Sequence, residues 1–242
     1  MARRGNPVPE ADVTAMFDAI VPNYDRLNTI MTLGRDEGWR RAAVDATALQ
    51  AGDAAIDVAC GTGKLTALLA DRVGPFGRVE GVDLSEAMIA RARRRLRDHV
   101  QLRFRVANAL ALPYDDDEFD AAAIAFGLRN LADFEAGFRE MARVVRPGGA
   151  VVCVELSLPR PRLLARAYHA AFRAIAPIVG AIIARQARAY RYLPDSLDDF
   201  PAPDQLAATM NSAGLVDVTY RRLAFGAAAV HRGRVPEAAS EA

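Results

Sequence analysis

Cysteine and lysine are scarce in this sequence. Its 242 residues contain two cysteines, Cys60 and Cys153, which lie far apart and outside any Cys-x-x-Cys pair or Cys/His cluster. The sequence therefore predicts no disulfide framework and no structural metal site, and it fits a reducing compartment. Lysine occurs once, at Lys64, so nearly all positive charge is arginine. We interpret that as a compositional bias of the source genome.

Strong net charge and long uncharged apolar runs are also missing. The net charge is +1, so the charge balance does not favour nucleic acid as a partner. The arginines near the N-terminus are not followed by an apolar segment, and we expect no secretory signal. The most apolar region, 163–184, contains Arg166, His169, Arg173 and Pro177. These residues argue against a membrane span, which needs about 20 mostly uncharged residues. We therefore expect a globular, cytoplasmic protein.

A strand, a glycine turn and a helix follow one another from Ala54 to Ala70. The glycines of the turn, Gly61 and Gly63, let a ligand approach the backbone, and the N–H groups that open the helix are electropositive. A dinucleotide fold would have a third glycine where Thr66 stands, which disfavours NAD. The segment D-x-x-C-G-T-G, from Asp57 to Gly63, looks like the loop of S-adenosylmethionine (SAM) methyltransferases. An ordinary turn without a ligand remains the alternative.

Two further strand ends carry candidate ligand groups. Asp83 follows the second predicted strand, about 20 residues beyond the glycine turn, where a carboxylate can accept both hydroxyls of a ribose. Its alternative role is a helix cap, but Ser85 already supplies one. Asn108 and Ala109 follow the third strand, where an amide and a backbone N–H can meet the edge of an adenine. A plain turn is the alternative there.

The alternation of strands and helices predicts an α/β fold with a doubly wound, mostly parallel sheet. Residues 1–12 are polar and are expected to be frayed. We divide the chain into an N-terminal helical cap and substrate lid (1–50), a SAM-binding core (51–158), a helical insertion that forms the acceptor pocket (159–204), a C-terminal helix with an antiparallel strand pair (205–235) and a disordered tail (236–242).

Several longer motifs narrow the class of protein that this sequence can belong to. They are N-Y-D at 23–25, F-G-L-R-N at 126–130, P-G-G at 147–149, Y-R-Y-L at 190–193 and H-R-G at 231–233. SAM methyltransferases in general share the glycine loop and P-G-G but not the whole set. From Phe17 to Gly233 the chain resembles the ubiquinone/menaquinone biosynthesis C-methyltransferase family. The resemblance implies a class I methyltransferase fold with a seven-stranded sheet, and SAM as cofactor.

The resemblance also implies a reaction, methylation of a ring carbon on a prenylated quinol, most simply demethylmenaquinol. It assigns cofactor binding to Gly61, Thr62, Gly63, Asp83, Asn108 and Ala109, and acceptor binding to Tyr24, Asn130, Tyr190 and Tyr192. Arg129 is the candidate catalytic residue. Because an arginine stays protonated, it would stabilise a phenolate rather than act as a base. The alternative for Arg129 is a structural ion pair with Asp25 or Asp133.

A prenylated acceptor implies peripheral contact with the inner face of the cell membrane, and a homodimer is also compatible with the resemblance. Residues 185–189 and 200–203 depart from the family pattern, which leaves the exact quinone open. Three other functions remain as alternatives. They are a SAM methyltransferase for another phenolic, polyketide or lipid acceptor, a SAM-binding protein without catalysis, and an NAD-dependent oxidoreductase.

Overall fold

Seven strands form a single sheet in the computed structural model, which describes residues 4–157 and 200–237. The strands are β1 (Ala54–Val58), β2 (Arg78–Asp83), β3 (Leu102–Val106), β4 (Phe119–Ala125), β5 (Val145–Leu156), β6 (Val216–Leu223) and β7 (Ala228–Arg234). Their order is β3-β2-β1-β4-β5-β7-β6. Only β7 runs antiparallel to its neighbours, β5 and β6, and the remaining pairs are parallel. The predicted doubly wound sheet and its C-terminal antiparallel pair are confirmed.

Helices cover both faces of this sheet. They are α1 (Glu10–Ile20), α2 (Tyr24–Met31), α3 (Asp36–Thr47), α4 (Lys64–Val73), α5 (Glu86–Arg95), α6 (Phe134–Arg143) and α7 (Pro203–Ser212). None of these described helices is long and apolar enough to cross a membrane. Tyr190, Tyr192 and most of the segment 159–204 lie outside the described residues.

The central strands are apolar along their whole length because both of their faces are buried. One face packs against α3 and α4, in a core that includes Trp39, Leu65 and Leu69. The other face packs against α6 and α7, where Phe138 and Met210 are fully buried. Because helices cover both faces of the sheet, its loops lie at the two edges where the strands begin and end. Ligands can therefore bind at these edges.

The expectation that residues 1–12 are frayed is wrong for the part that the structure describes. The backbone N–H of Phe134 donates to the carbonyl of Arg4 at 2.8 Å, and the N–H of Asn6 donates to Leu131 at 2.7 Å. Gly5 makes this contact sterically feasible, because a Cβ there would lie 1.7 Å from the carbonyl oxygen of Ala132. Polar composition did not reveal that a glycine lets this segment lie against the core.

His231 of the H-R-G motif fastens α7 to the sheet. Its Nε2 lies 2.9 Å from the carbonyl oxygen of Pro203, the first residue of α7, and its ring packs on Tyr220. Burial lowers the pKa of His231 to about 4 from an ordinary value of 6.5. The imidazole is therefore neutral in the folded protein at neutral pH, whereas it gains a proton on unfolding in mild acid.

We expect this histidine to make stability depend on pH. Between pH 6.5 and 4 the unfolded chain binds the extra proton, so the stabilisation is complete above pH 6.5 and declines as the pH falls. Urea unfolding at pH 5.0 should show a loss of about 2 kcal/mol relative to pH 7.5 that the His231→Asn variant lacks. An equal pH dependence in both proteins would contradict the assignment.

Candidate active site

A cavity lies at the carboxyl edge of the sheet, between the ends of β1 to β4 and the helix α1. Its empty volume is about 720 Å³, including the solvent at its mouth. The strand order reverses here, since β1 is flanked by β2 on one side and β4 on the other. Open α/β sheets bind ligands at such a point. We refer to this space as the main cavity.

Most of the candidate residues that the structure describes line the main cavity. From the cofactor set these are Gly61, Asp83, Asn108 and Ala109, and from the acceptor set Tyr24 and Asn130. Thr62 and Gly63 belong to the same turn but do not line this space. The structure thus brings the ends of β1, β2 and β3 and residues of α1 and α2 to one place.

The turn after β1 depends on its glycines. Gly61 and Gly63 have φ values of 55° and 80°, a region that residues with a Cβ seldom adopt. A Cβ on Gly63 would also lie 2.8 Å from the Leu96 side chain. The N–H of Gly61 donates to Asp83 at 2.8 Å, so the turn is tied to the end of β2.

Asp83 meets the requirements of a ribose-binding carboxylate. One oxygen accepts from the N–H of Gly61 at 2.8 Å and the other from the N–H of Ser85 at 2.9 Å. Each oxygen has a second lone pair that can accept a ligand hydroxyl. Burial raises the pKa of Asp83, although these backbone donors partly offset the effect. The predicted cap is present as well, since Ser85 Oγ accepts from the N–H of Met88 at 3.0 Å.

A smaller polar cavity adjoins the glycine turn, and sequence reasoning did not assign it. Asp57, Arg40 and Lys64 line it together with Gly61 and Thr62. One oxygen of Asp57 accepts from Thr66, and the other is buried with no hydrogen-bond partner among the described residues. Burial raises the pKa of Asp57 to about 7. The motif already pointed to Asp57, but no local pattern marks Arg40, which reaches this space only because α3 packs over the sheet.

Three carboxylates of the N-terminal helices hydrogen-bond to two of the candidate cofactor residues and to Ser85. Glu10 accepts from the Asn108 amide at 3.2 Å, and Asp25 accepts from Thr62 at 2.6 Å. Asp18 accepts from the Ser85 hydroxyl. These contacts join residues 37 to 98 positions apart. Sequence spacing could not reveal them.

Arg129 is buried and forms an ion pair with Glu155 at the end of β5. Glu155 also accepts from the backbone N–H of Arg129 at 3.2 Å and from that of Leu156 at 2.9 Å. The partner is therefore neither of the carboxylates suggested from the sequence. Asp133 caps α6, and Asp25 contacts Thr62 and Arg95. Glu155 takes the role because β5 lies beside β4 in the sheet.

Tyr24 lines both the main cavity and the smaller cavity beside the glycine turn. A Cβ on Gly61 would be 3.7 Å from its ring, and Phe17 packs edge-on against it at 5.9 Å. Burial raises the pKa of Tyr24, while its contact with Asn28 and the charges of Arg129 and Arg40 partly offset the rise. The phenol therefore stays protonated at neutral pH and can donate a hydrogen bond.

Solved structures share this architecture. A chain in the complex between the Haloferax volcanii Trm112 methyltransferase activator and the putative methyltransferase superposes with a TM-score of 0.67 at 20% identity, covering 91% of this chain and 98% of that one. A SAM-dependent methyltransferase from Aquifex aeolicus gives 0.61 at 15% identity over 87% and 97%. Fold and site together define a class I SAM-dependent methyltransferase, and SAM is its methyl donor.

Sequence comparison identifies the family. The model of the ubiE/COQ5 methyltransferase family matches residues 6–235, and the chain belongs to that family. A demethylmenaquinone methyltransferase from Thermus thermophilus is 43% identical over 222 residues, 91% of this chain and 100% of the relative. A ubiquinone/menaquinone biosynthesis C-methyltransferase from Hahella chejuensis is 37% identical over 227 residues, 93% of this chain and 91% of the relative. The resemblance stated from the motifs is confirmed.

Proposed function

We propose that this enzyme transfers a methyl group from SAM to a ring carbon of a prenylated quinol, with demethylmenaquinol as the acceptor. The observation that carries the proposal is the main cavity, where the candidate SAM residues and the acceptor candidates Tyr24 and Asn130 meet at one edge of the sheet. The names of the two relatives described above support the choice of acceptor.

The residues present fit SAM. Asp83 would accept the ribose hydroxyls, and Asn108 with Ala109 would meet the adenine. The backbone of the turn from Gly61 to Gly63 would face the ligand closely, since that turn carries no Cβ at either end. The amino-acid end of SAM has one ammonium and one carboxylate. For the first, the smaller cavity offers the carboxylate oxygen of Asp57 that has no hydrogen-bond partner among the described residues, and for the second it offers Lys64, which is partly exposed although it also contacts Asp36 at 3.1 Å. Arg40 lines the same cavity but is already paired with the buried Asp36 at 2.6 Å.

The walls of the main cavity are largely apolar, which suits a quinol ring. Phe17, Val13, Met88 and Phe126 are among its walls. We assign Tyr24 and Asn130 to the ring oxygens, where a phenol and an amide can donate hydrogen bonds. Tyr190 and Tyr192 remain predictions for the same pocket, in the part of the chain that the structure does not describe.

The chain's own residues account for activation of the ring carbon. Carbon is a weak nucleophile until a neighbouring ring hydroxyl loses its proton, and the charge then spreads to the adjacent carbon. Tyr24 would donate to that oxygen and stabilise the charge. Glu10, on the wall of the main cavity, would accept the proton. Bound SAM supplies the electrophilic methyl group, and the ring hydrogen that it replaces leaves as a proton.

We assign Arg129 a positioning role in this scheme. Its ion pair with Glu155 fixes the turn from Gly127 to Asn130, and two residues of that turn, Gly127 and Asn130, line the main cavity. Direct stabilisation of the phenolate is the alternative. An arginine already paired with a buried carboxylate has less free charge to offer a second anion, which supports the positioning role.

The proposal is tested by methyl transfer from labelled SAM to reduced demethylmenaquinone and, in parallel, to a reduced prenyl-methoxybenzoquinone, with both oxidised quinones as controls. We expect transfer to reduced demethylmenaquinone, with activity falling as the prenyl tail is shortened. Tight SAM binding without transfer to either quinol would overturn the proposal and point to another phenolic or lipid acceptor.

The cofactor assignment makes its own prediction. Replacing Asp83 by alanine removes two charge-assisted hydrogen bonds to the ribose, and we expect SAM affinity to fall about 100-fold. Isothermal titration with SAM measures the change. Asp98→Asn is the control, because Asp98 is exposed on the surface. The SAM affinity of this variant should match that of the parent protein. An unchanged Kd for SAM in Asp83→Ala would show that Asp83 does not bind the cofactor.

A prenylated acceptor resides in a bilayer, so we also propose peripheral contact of the enzyme with the membrane. A homodimer stays a prediction, and light scattering on the purified protein tests it.

A further inference from the structure

Two large apolar side chains stand exposed on separate turns. Leu33, between α2 and α3, and Phe225, between β6 and β7, are each 85% exposed. Their φ values are 52° and 57°, and a glycine follows each of them, Gly34 and Gly226. Bulky residues rarely adopt this backbone region, where glycine is favoured. Both turns therefore hold an apolar side chain in solvent in an unfavourable backbone conformation, which folding alone does not explain.

Both turns lie at the carboxyl edge of the sheet, the edge of the main cavity. Leu33 comes three residues before α3, whose first turns contact Phe126, just past the end of β4. Phe225 comes three residues before β7, whose first residue pairs with Leu156, the last residue of β5. Since α3 packs across β4, β5 and β7, the two turns share one side of that edge. We call Leu33 and Phe225 the apolar tips.

Positive charge accompanies the apolar tips. The segments 26–35 and 220–227 contain four arginines, Arg26, Arg35, Arg221 and Arg222, and no acidic residue. The nearest exposed carboxylate along the chain, Glu37, is paired with Arg41 at 2.5 Å. Apolar side chains that enter the headgroup region, with arginines beside them for anionic lipid, are the two signals that together give stable peripheral attachment.

We propose that the carboxyl edge docks on an anionic lipid bilayer, with Leu33 and Phe225 inserted into the interface and with Arg35 and Arg221, which lie beside them, at the headgroups. This inference rests on the proposed function in one respect, that a prenylated acceptor gives the enzyme reason to approach a membrane. In this orientation the edge of the sheet that carries the main cavity faces the lipid. An acceptor ring could then reach the cavity while its tail remains in the bilayer.

The chain offers a matched control. Phe76 and Val100 are 93% and 91% exposed, and they lie just before β2 and β3, at the amino edge of the sheet. A double variant at the apolar tips, Leu33→Ser with Phe225→Ser, can therefore be compared with Phe76→Ser with Val100→Ser. The two variants remove similar apolar surface from opposite edges of the full-length protein.

The first readout is co-sedimentation with vesicles of phosphatidylcholine, with and without one third phosphatidylglycerol, and without any quinol. We expect the parent protein and the amino-edge variant to bind the anionic vesicles equally, and the tip variant to bind at least ten-fold more weakly. A second variant, Arg35→Gln with Arg221→Gln, should also bind more weakly, and its deficit should vanish on vesicles without phosphatidylglycerol. This variant keeps the test valid if the tip variant folds poorly.

The second readout is enzymatic and separates this inference from the proposed function. The tip variant should raise KM for a long-tailed quinol held in vesicles at least five-fold and leave kcat for a short-tailed quinol in solution unchanged. If vesicle binding depends on the apolar tips but no quinol is methylated, the proposed acceptor is wrong and the proposed docking surface stands.

Four outcomes overturn the docking surface itself. The first three are no binding of the parent protein to anionic vesicles, equal losses in the tip and amino-edge variants, and a change of oligomeric state in the tip variant. The last would show that the tips contact a second copy of the chain. A loss of kcat for the short-tailed quinol would also overturn it, since the tips would then contact the protein's own acceptor pocket.

Discussion

Replacing Arg129 by methionine should lower the free energy of unfolding by about 3–5 kcal/mol, because it leaves the Glu155 carboxylate buried without its cation. Glu155 is only 1% exposed, so water cannot take over the role of the guanidinium. A typical domain is stable by about 5–15 kcal/mol, and the loss is therefore a large part of the total. Urea unfolding followed by circular dichroism measures it.

A double variant separates the structural from the chemical role of Arg129. In Arg129→Met with Glu155→Gln neither residue of the pair leaves a charge behind. The two oxygens of Glu155 accept separately from the N–H groups of Arg129 and Leu156, and the single carbonyl oxygen of the glutamine can replace only one of them. We expect the double variant to regain part of the lost stability. Under the positioning role, kcat should recover with it, to within about ten-fold of the parent enzyme.

The opposite result would be equally informative. If stability returns and kcat for the quinol stays lower by about 100-fold or more, the charge of Arg129 acts on the reacting ring and the positioning role is wrong. Activity that is unchanged in the single variant would exclude both roles.

The position of the ion pair shows what the sequence could and could not predict. Asp83 and Asn108 were predictable because each follows a strand, and the ends of parallel strands meet at one edge of the sheet. The partner of Arg129 was not, because Glu155 is 26 residues away and becomes a neighbour only through the order of strands in the sheet. Asp25 and Asp133 were equally good candidates before that order was known.

The N-terminal residues show the same limit of sequence analysis. Their composition predicted frayed residues, while Asn6 is in fact buried, and Glu10, Asp18 and Asp25 hydrogen-bond to Asn108, Ser85 and Thr62. Polar residues do not show in a sequence whether their partners are water or a distant part of the chain. Hydrophobic periodicity placed the core strands and helices well, because burial of apolar residues is what defines them.

Replacing Tyr24 by phenylalanine should lower kcat for the quinol about 100-fold, the cost of removing one hydrogen-bond donor from a developing oxyanion. The raised pKa of Tyr24 keeps its hydroxyl protonated at neutral pH, so the parent enzyme has the donor that the variant lacks. The ring remains in the phenylalanine variant, and with it the packing against Phe17. SAM affinity and thermal stability should therefore stay close to those of the parent.

Tyr220→Phe is the matched control, because Tyr220 lies on the edge strand β6, packed on His231, away from the main cavity. Single-turnover methyl transfer from labelled SAM, with Kd for SAM measured on the same preparations, distinguishes the possible roles of Tyr24. A fall in kcat with unchanged SAM affinity assigns its hydroxyl to the acceptor oxygen. Weaker SAM binding with unchanged kcat would assign Tyr24 to the cofactor instead. The acceptor ring would then need a different donor, and Asn130 on the wall of the main cavity is a candidate.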